Sequence, residues 1–175
     1  MTQLNCTCGK VRLQTHGKPI MATECHCNSC REAAAHFRAL EGAPDFLSPN
    51  GGTPFLMMRK DRVDISGVEH LKAFRITPES PTRRALAACC NTPVFLEFKG
   101  GHWLSIYKSV VPQGAMPQIE LRTMTGDLAD PRVLDDTIPS GKRQSVKFFA
   151  KLLGAWIAMG FRSPRIEVEQ EAVLR

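Results

Sequence analysis

Apolar and polar residues alternate over several short stretches of the chain. Val11-Arg12-Leu13-Gln14-Thr15, Lys72-Ala73-Phe74-Arg75-Ile76 and Ile119-Glu120-Leu121-Arg122-Thr123-Met124 each put their apolar side chains on one side of an extended backbone. That period of two predicts half-buried β-strands. Val94-Phe95-Leu96-Glu97-Phe98 and Trp103-Leu104-Ser105-Ile106-Tyr107 are richer in aromatic and β-branched residues and suit central strands. Turn signals separate these stretches, among them Ser48-Pro49-Asn50-Gly51-Gly52, Thr77-Pro78-Glu79-Ser80-Pro81 and Gly100-Gly101. The period changes twice. Arg31 to Leu40 is built from strong helix formers. From about Ser145 to Met159, Phe148, Phe149, Leu152, Leu153, Trp156 and Ile157 recur at helical spacing, with Lys147 and Lys151 on the wet side. Ser140 or Ser145 is placed to cap this second helix and Gly160 to end it. The pattern predicts a mainly β, β-rich α+β fold, with the C-terminal helix (140–161) packing its aromatic stripe on the sheet.

Composition narrows this little. The chain has 175 residues, 43% hydrophobic and 23% charged, so fibrous and disordered classes are excluded and one domain spanning 1–175 is expected. Lys and Arg exceed Asp and Glu by 23 to 17, a net charge of +6. The N-terminus lacks the basic flank and apolar run of a secretory leader. The longest apolar stretch, Phe148 to Phe161, is too short and too polar to span a bilayer. A cytoplasmic location is expected, where thiols stay reduced.

The seven cysteines change the picture. An odd number cannot pair fully into disulfides, and these are bunched: Cys6-Thr7-Cys8-Gly9, Cys25-His26-Cys27-Asn28-Ser29-Cys30, and Cys89-Cys90-Asn91-Thr92-Pro93. On extended backbone a Cys-x-Cys pair points both sulfurs to one side, and a Cys-x-x-Cys pair lets the chain turn around an ion. Zinc takes four tetrahedral ligands; four protein ligands make a closed structural site, and three leave a position for chemistry. Cys25, Cys27 and Cys30 therefore predict an open three-thiolate site. Cys6 and Cys8 predict a closed site completed by the third group. Free cysteine is often buried core, but three chelate-spaced groups are poorly explained that way. A redox Cys27-x-x-Cys30 lacks a surrounding βαβ pattern, and an iron–sulfur cluster fits on ligand type alone.

At these residues the chain resembles the family of the glutathione-dependent formaldehyde-activating enzyme and centromere protein V. The family pattern is an early Cys-x-Cys-Gly, a central Cys-His-Cys-x-x-Cys and a later Cys-x-x-Cys-Gly-[Thr/Ser]-Pro. The first two stand at Cys6–Gly9 and Cys25–Cys30, and the resemblance runs from about Leu4 to Pro93. It implies an Mss4-like fold of folded β-sheets carrying zinc, one or two ions per chain. The third motif departs: Ala87 stands where its first cysteine belongs, Asn91 replaces glycine, and Cys89 lies two residues late. Either Cys89 becomes the fourth ligand beside Cys6, Cys8 and Cys90, or the site has three cysteines, or it holds no metal. Adjacent cysteines reach one ion only through an unusual backbone, because their side chains start in opposed directions.

The resemblance further implies that Cys25, Cys27 and Cys30 hold the zinc credited with catalysis on an adduct of glutathione and an aldehyde. A zinc-bound thiol is a thiolate at neutral pH, so the reaction class is carbon–sulfur bond making or breaking. The expected partner is a small thiol or thiol–aldehyde adduct. The alternative is a zinc-stabilised, non-catalytic binding module for a protein or nucleic acid. His26, between two ligands, is expected to point away from the metal, and Glu32 and His36 receive no role. The basic run Lys142, Arg143, Lys147 and Lys151 reads as a solvated helix face rather than a nucleic-acid surface.

Overall fold

The computed structural model describes residues 1–168 and 170–174. In chain order its strands are β1 (Thr2–Asn5), β2 (Arg12–Thr15) and β3 (Met21–Cys25), then helix α1 (Asn28–Arg38). There follow β4 (Thr53–Arg59), β5 (Val63–Ser66), β6 (Leu71–Arg75), β7 (Thr82–Ala87), β8 (Thr92–Phe98), β9 (Trp103–Tyr107) and β10 (Leu121–Thr123). Helix α2 (Val146–Ile157) and β11 (Gln170–Val173) end the described chain. This is the expected β-rich α+β class.

The strands form two sheets. β1, β2 and β5 make a small antiparallel sheet, and the other eight lie in the order β10-β3-β4-β9-β8-β7-β6-β11. The centre of the large sheet is antiparallel, while β10 and β11 add in parallel at its two edges. Each long strand feeds two cores, because successive side chains leave opposite faces. On one face Leu56, Met58, Phe95, Leu104 and Ile106 pack with Leu4, Val11, Leu13 and Val63 of the small sheet's side. On the other, Phe55, Leu86, Leu96 and Tyr107 pack with Ala33, Ala34 and Phe37 of α1.

The five stretches predicted as strands all fall on strands, and both predicted helices are present. Ser145 caps α2, its hydroxyl accepting from the Phe148 N–H at 3.2 Å. The packing expected of α2 needs correction. Only a narrow seam touches the sheet: Leu152 and Phe148 join Met21, Met57 and Trp103, and His102 Nε2 meets the Leu152 carbonyl at 2.9 Å. Phe149, Leu153 and Ile157 are 57%, 52% and 54% exposed. The six-residue stripe spans more of the helix circumference than one sheet contact covers.

Candidate metal centre

Cys25 is the last residue of β3, Cys27 caps α1, and Cys30 lies in the first helical turn. The strand-to-helix corner brings the three sulfurs within 4.8 Å of one another. Among the described residues no other Cys, His, Asp or Glu donor joins them. The Cys27 sulfur takes the place a serine oxygen takes at a helix start, accepting from the Cys30 N–H at 3.3 Å. The Asn28 N–H donates to the Asp127 carboxylate at 3.0 Å, so the segment after β10 fastens the same helix start.

The second group gathers as well. The sulfurs of Cys6, Cys8, Cys89 and Cys90 also lie within 4.8 Å of each other. Cys6 and Cys8 are 3.7 Å apart, Cys8 and Cys89 3.2 Å, and Cys89 and Cys90 3.9 Å. A tetrahedron with metal–sulfur bonds of about 2.3 Å has edges of roughly 3.8 Å, so this donor set fits a zinc-sized ion. The adjacent pair is reconciled by a turn between β7 and β8. The Cys90 N–H closes it on the Ala87 carbonyl at 3.2 Å, and Asn91 takes a left-handed φ of 53°. Asparagine tolerates that conformation in place of the family's glycine. Of the three possibilities left by the third motif, this geometry matches the one in which Cys89 is the fourth donor. The Thr7 and Thr92 hydroxyls, 2.8 Å apart, tie the first cysteine loop to the start of β8.

Each cluster concentrates negative charge on one sulfur. Hydrogen bonds from Cys25 and Cys30, then the Cys30 N–H and the Arg84 charge, hold the Cys27 thiol down at about 3. The same sharing pushes Cys25 up to about 11 and Cys30 higher than its ordinary value. In the second cluster burial opposes ionisation of Cys90, yet the Thr92 hydroxyl and the Cys8 backbone bring it to about 6. Burial raises Cys6 and Cys89. A cation bound at either cluster would draw the protons from the raised thiols Cys25 and Cys30 or Cys6 and Cys89, the usual coupling of metal affinity to proton release.

The central trio opens on a cavity of about 500 Å³. Phe55, Met57, Leu96, Phe98, Trp103 and Phe148 give it apolar walls, and Ser29, Arg84, Asp127 and Gln144 add polar ones. The C-terminal half, which carries no motif, therefore supplies part of the wall. His26 does point away from the trio, as expected. It is 1% exposed and its Nε2 lies 3.0 Å from Glu24 Oε1. Glu32 is exposed and His36 half-buried, both outside the cavity.

Glu24 is a residue the pattern of the sequence does not reveal. Although it is charged, it is 3% exposed. Besides His26 it accepts from Ser48 Oγ, from Asn50 Nδ2 at 2.9 Å and from Arg122 Nε at 3.2 Å. It thus ties β3, immediately before Cys25, to β10 and to the loop before β4. Gly52 leaves room for the network: a Cβ there would stand 2.5 Å from Glu24 Cγ and 2.7 Å from His26 Cε1. Burial alone would raise this carboxyl, but the hydrogen bonds from His26, Ser48 and Asn50 overcome it and hold it at about 2. A depressed folded-state value stabilises the fold above the ordinary carboxylate range, and that contribution is lost as pH falls toward 2. At about 1.4 kcal/mol per unit, the shift from 4.5 to about 2 corresponds to ~3 kcal/mol. Thermal melts of wild type and Glu24→Gln between pH 5 and pH 2 check this. The wild type is expected to lose its advantage across that interval; parallel curves would contradict it.

Comparison with known proteins agrees with this geometry where the motifs are densest. Residues 1–45, holding five of the seven cysteines, match the family model described as glutathione-dependent formaldehyde-activating enzyme. No curated protein matches the chain. Among solved structures, a Rhodobacter sphaeroides protein aligns over 80% of this chain and 100% of its own, with 13% identity and a TM-score of 0.47. No helix among the described residues is long and apolar enough to cross a membrane. With two cysteine clusters that could hold metal ions, the chain is similar over residues 1–45 to the glutathione-dependent formaldehyde-activating enzymes.

Proposed function

We propose that this protein is a zinc-dependent enzyme that makes or breaks a carbon–sulfur bond between a thiol and an aldehyde. Cys25, Cys27 and Cys30 are the ligands of the working ion, and Cys6, Cys8, Cys89 and Cys90 hold a second, structural ion. The observation that carries this reading is the convergence of three sulfurs, without a fourth donor among the described residues, on a cavity large enough for a small adduct. When bound, zinc supplies a site at which a substrate thiol is a thiolate at neutral pH. The chain's own residues do the rest. The α1 start holds the three sulfurs in one register, and the Glu24 network fixes the strand that delivers Cys25. The aromatic walls exclude water, which lengthens the life of a thiol–aldehyde adduct against dissociation into bulk solvent.

The chemistry expected is addition of a thiolate sulfur to the carbonyl carbon of a small aldehyde, or its reverse with the sulfur as leaving group. Glutathione is the first thiol to try, given the family match. A turnover assay on glutathione with a panel of small aldehydes tests the reading. Acceleration of adduct formation by the zinc-loaded protein supports it. A protein that binds zinc at the trio and leaves every rate unchanged would favour the binding-module alternative.

A further inference from the structure

Arg84 lies on β7 with its guanidinium in the cavity wall, and only 1% of the residue is exposed. Its Nη2 donates to the Ser29 hydroxyl at 2.8 Å and the Ser29 carbonyl at 3.2 Å. Ser29 sits between Cys27 and Cys30 in the chain. Nε and Nη1 have no hydrogen-bond partner in the protein. The other deeply buried cations are answered by acids: Lys60 by Glu97, and Arg122 by Glu24 and Asp135. Arg84 has no such partner, since among the described residues no carboxylate lies within 4.0 Å of it.

A guanidinium keeps its proton in a protein interior, so a buried one needs an anion nearby. Arg84 shares the cavity wall with Cys25, Cys27 and Cys30, and it grips Ser29 in the helical turn that carries Cys30. The carboxylate on that wall, Asp127, lies beyond 4.0 Å of Arg84 and accepts from the Asn28 N–H, and burial keeps the Tyr107 hydroxyl neutral, which leaves the sulfurs. We propose that Arg84 is the counter-ion of the central cysteine trio. This rests on the reading of that trio as a metal centre. Three thiolates around a divalent ion sum to one negative charge, and the Arg84 guanidinium brings the assembly to neutral. A substrate thiolate then joins a neutral centre rather than an anionic one, so Arg84 is a positioning residue for an anionic fourth ligand.

Two substitutions separate charge from geometry. Arg84→Lys keeps the charge and loses the planar fork on Ser29. Arg84→Gln keeps an amide donor for Ser29 and loses the charge. The zinc affinity of the trio is read by chelator competition. With cobalt(II) in place of zinc, the sulfur-to-cobalt absorption reads the binding of added 2-mercaptoethanol. Arg84→Gln is expected to weaken both by about ten- to hundred-fold, the range seen when groups just outside a metal's ligands are lost. Arg84→Lys is expected to stay near wild type. Equal losses in the two variants would mean that Arg84 acts only by clamping Ser29, and an Arg84→Gln protein with wild-type zinc affinity would also overturn the assignment. Failure of the underlying reading looks different: wild type itself would take no metal at the trio. A wild type that binds zinc but no thiol would contradict the proposed chemistry, while the zinc arm still decides the role of Arg84.

Discussion

A Cys27→Ser protein is expected to lose metal from the central trio, and carbon–sulfur turnover with it, while keeping its fold and its second cluster. Serine is a good helix cap, so the bond from the Cys30 N–H survives in kind and α1 is retained. What disappears is a soft, ionisable donor from a set of three. Loss of groups outside the ligand shell costs about 10- to 100-fold in metal affinity, and loss of a ligand is expected to exceed that range. Circular dichroism is expected to match wild type, metal content to fall by one ion per chain, and turnover to reach background. A Cys27→Ser protein with unchanged metal content would remove Cys27 from the site.

The second large effect lies in stability. Cys6→Ser is expected to release the closed cluster and to lower the melting temperature, leaving the central trio loaded. The four sulfurs join the first loop to the turn between β7 and β8, and Cys8 and Cys89 are 81 positions apart. A cross-link closing a loop of about 80 residues restrains the unfolded chain by roughly 4 kcal/mol. The link adds to the core that the small sheet's Leu4, Leu13 and Val63 share with the large sheet. Chemical denaturation with metal analysis checks the prediction. Unchanged stability together with an unchanged metal count would show that the second cluster holds no ion.

Much of the fold is legible from local pattern, for a physical reason. β2 and β6 have one wet side, so their residues alternate and the period of two is visible; β10 alternates in sequence although all three of its residues are buried, Arg122 being paired with Glu24 and Asp135. β4 reads Thr-Pro-Phe-Leu-Met-Met-Arg and is buried along nearly its whole length. A strand covered on both faces shows no alternation, and such a run cannot be told from a helix segment by period alone. In α2 the opposite ambiguity arises. An aromatic stripe reads as core, but a helix that touches β3, β4 and β9 along one seam leaves Phe149, Leu153 and Ile157 in water.

The candidate ligands were legible because chelate spacing is local, and Cys25, Cys27 and Cys30 need no distant partner. Cys89 and Cys90 were less so, since adjacency on extended backbone separates two sulfurs and only the turn ending in Asn91 brings them round. Glu24 and Arg84 carry no signal at all. Each is a charged residue in a stretch that reads as surface, and each is buried by partners far along the chain: Ser48, Asn50 and Arg122 for one, Ser29 for the other. No local pattern encodes a network assembled from separate elements.

The central claim is that three sulfurs of one strand-to-helix corner hold an ion with a position left for substrate. Zinc-edge X-ray absorption combined with elemental analysis, on wild type and Cys27→Ser side by side, tests it most directly. The prediction is two zinc ions per wild-type chain, one with four sulfur neighbours and one with three sulfurs and a lighter atom, the second ion vanishing in Cys27→Ser. A single ion per chain, bound by four sulfurs and untouched by Cys27→Ser, would contradict it.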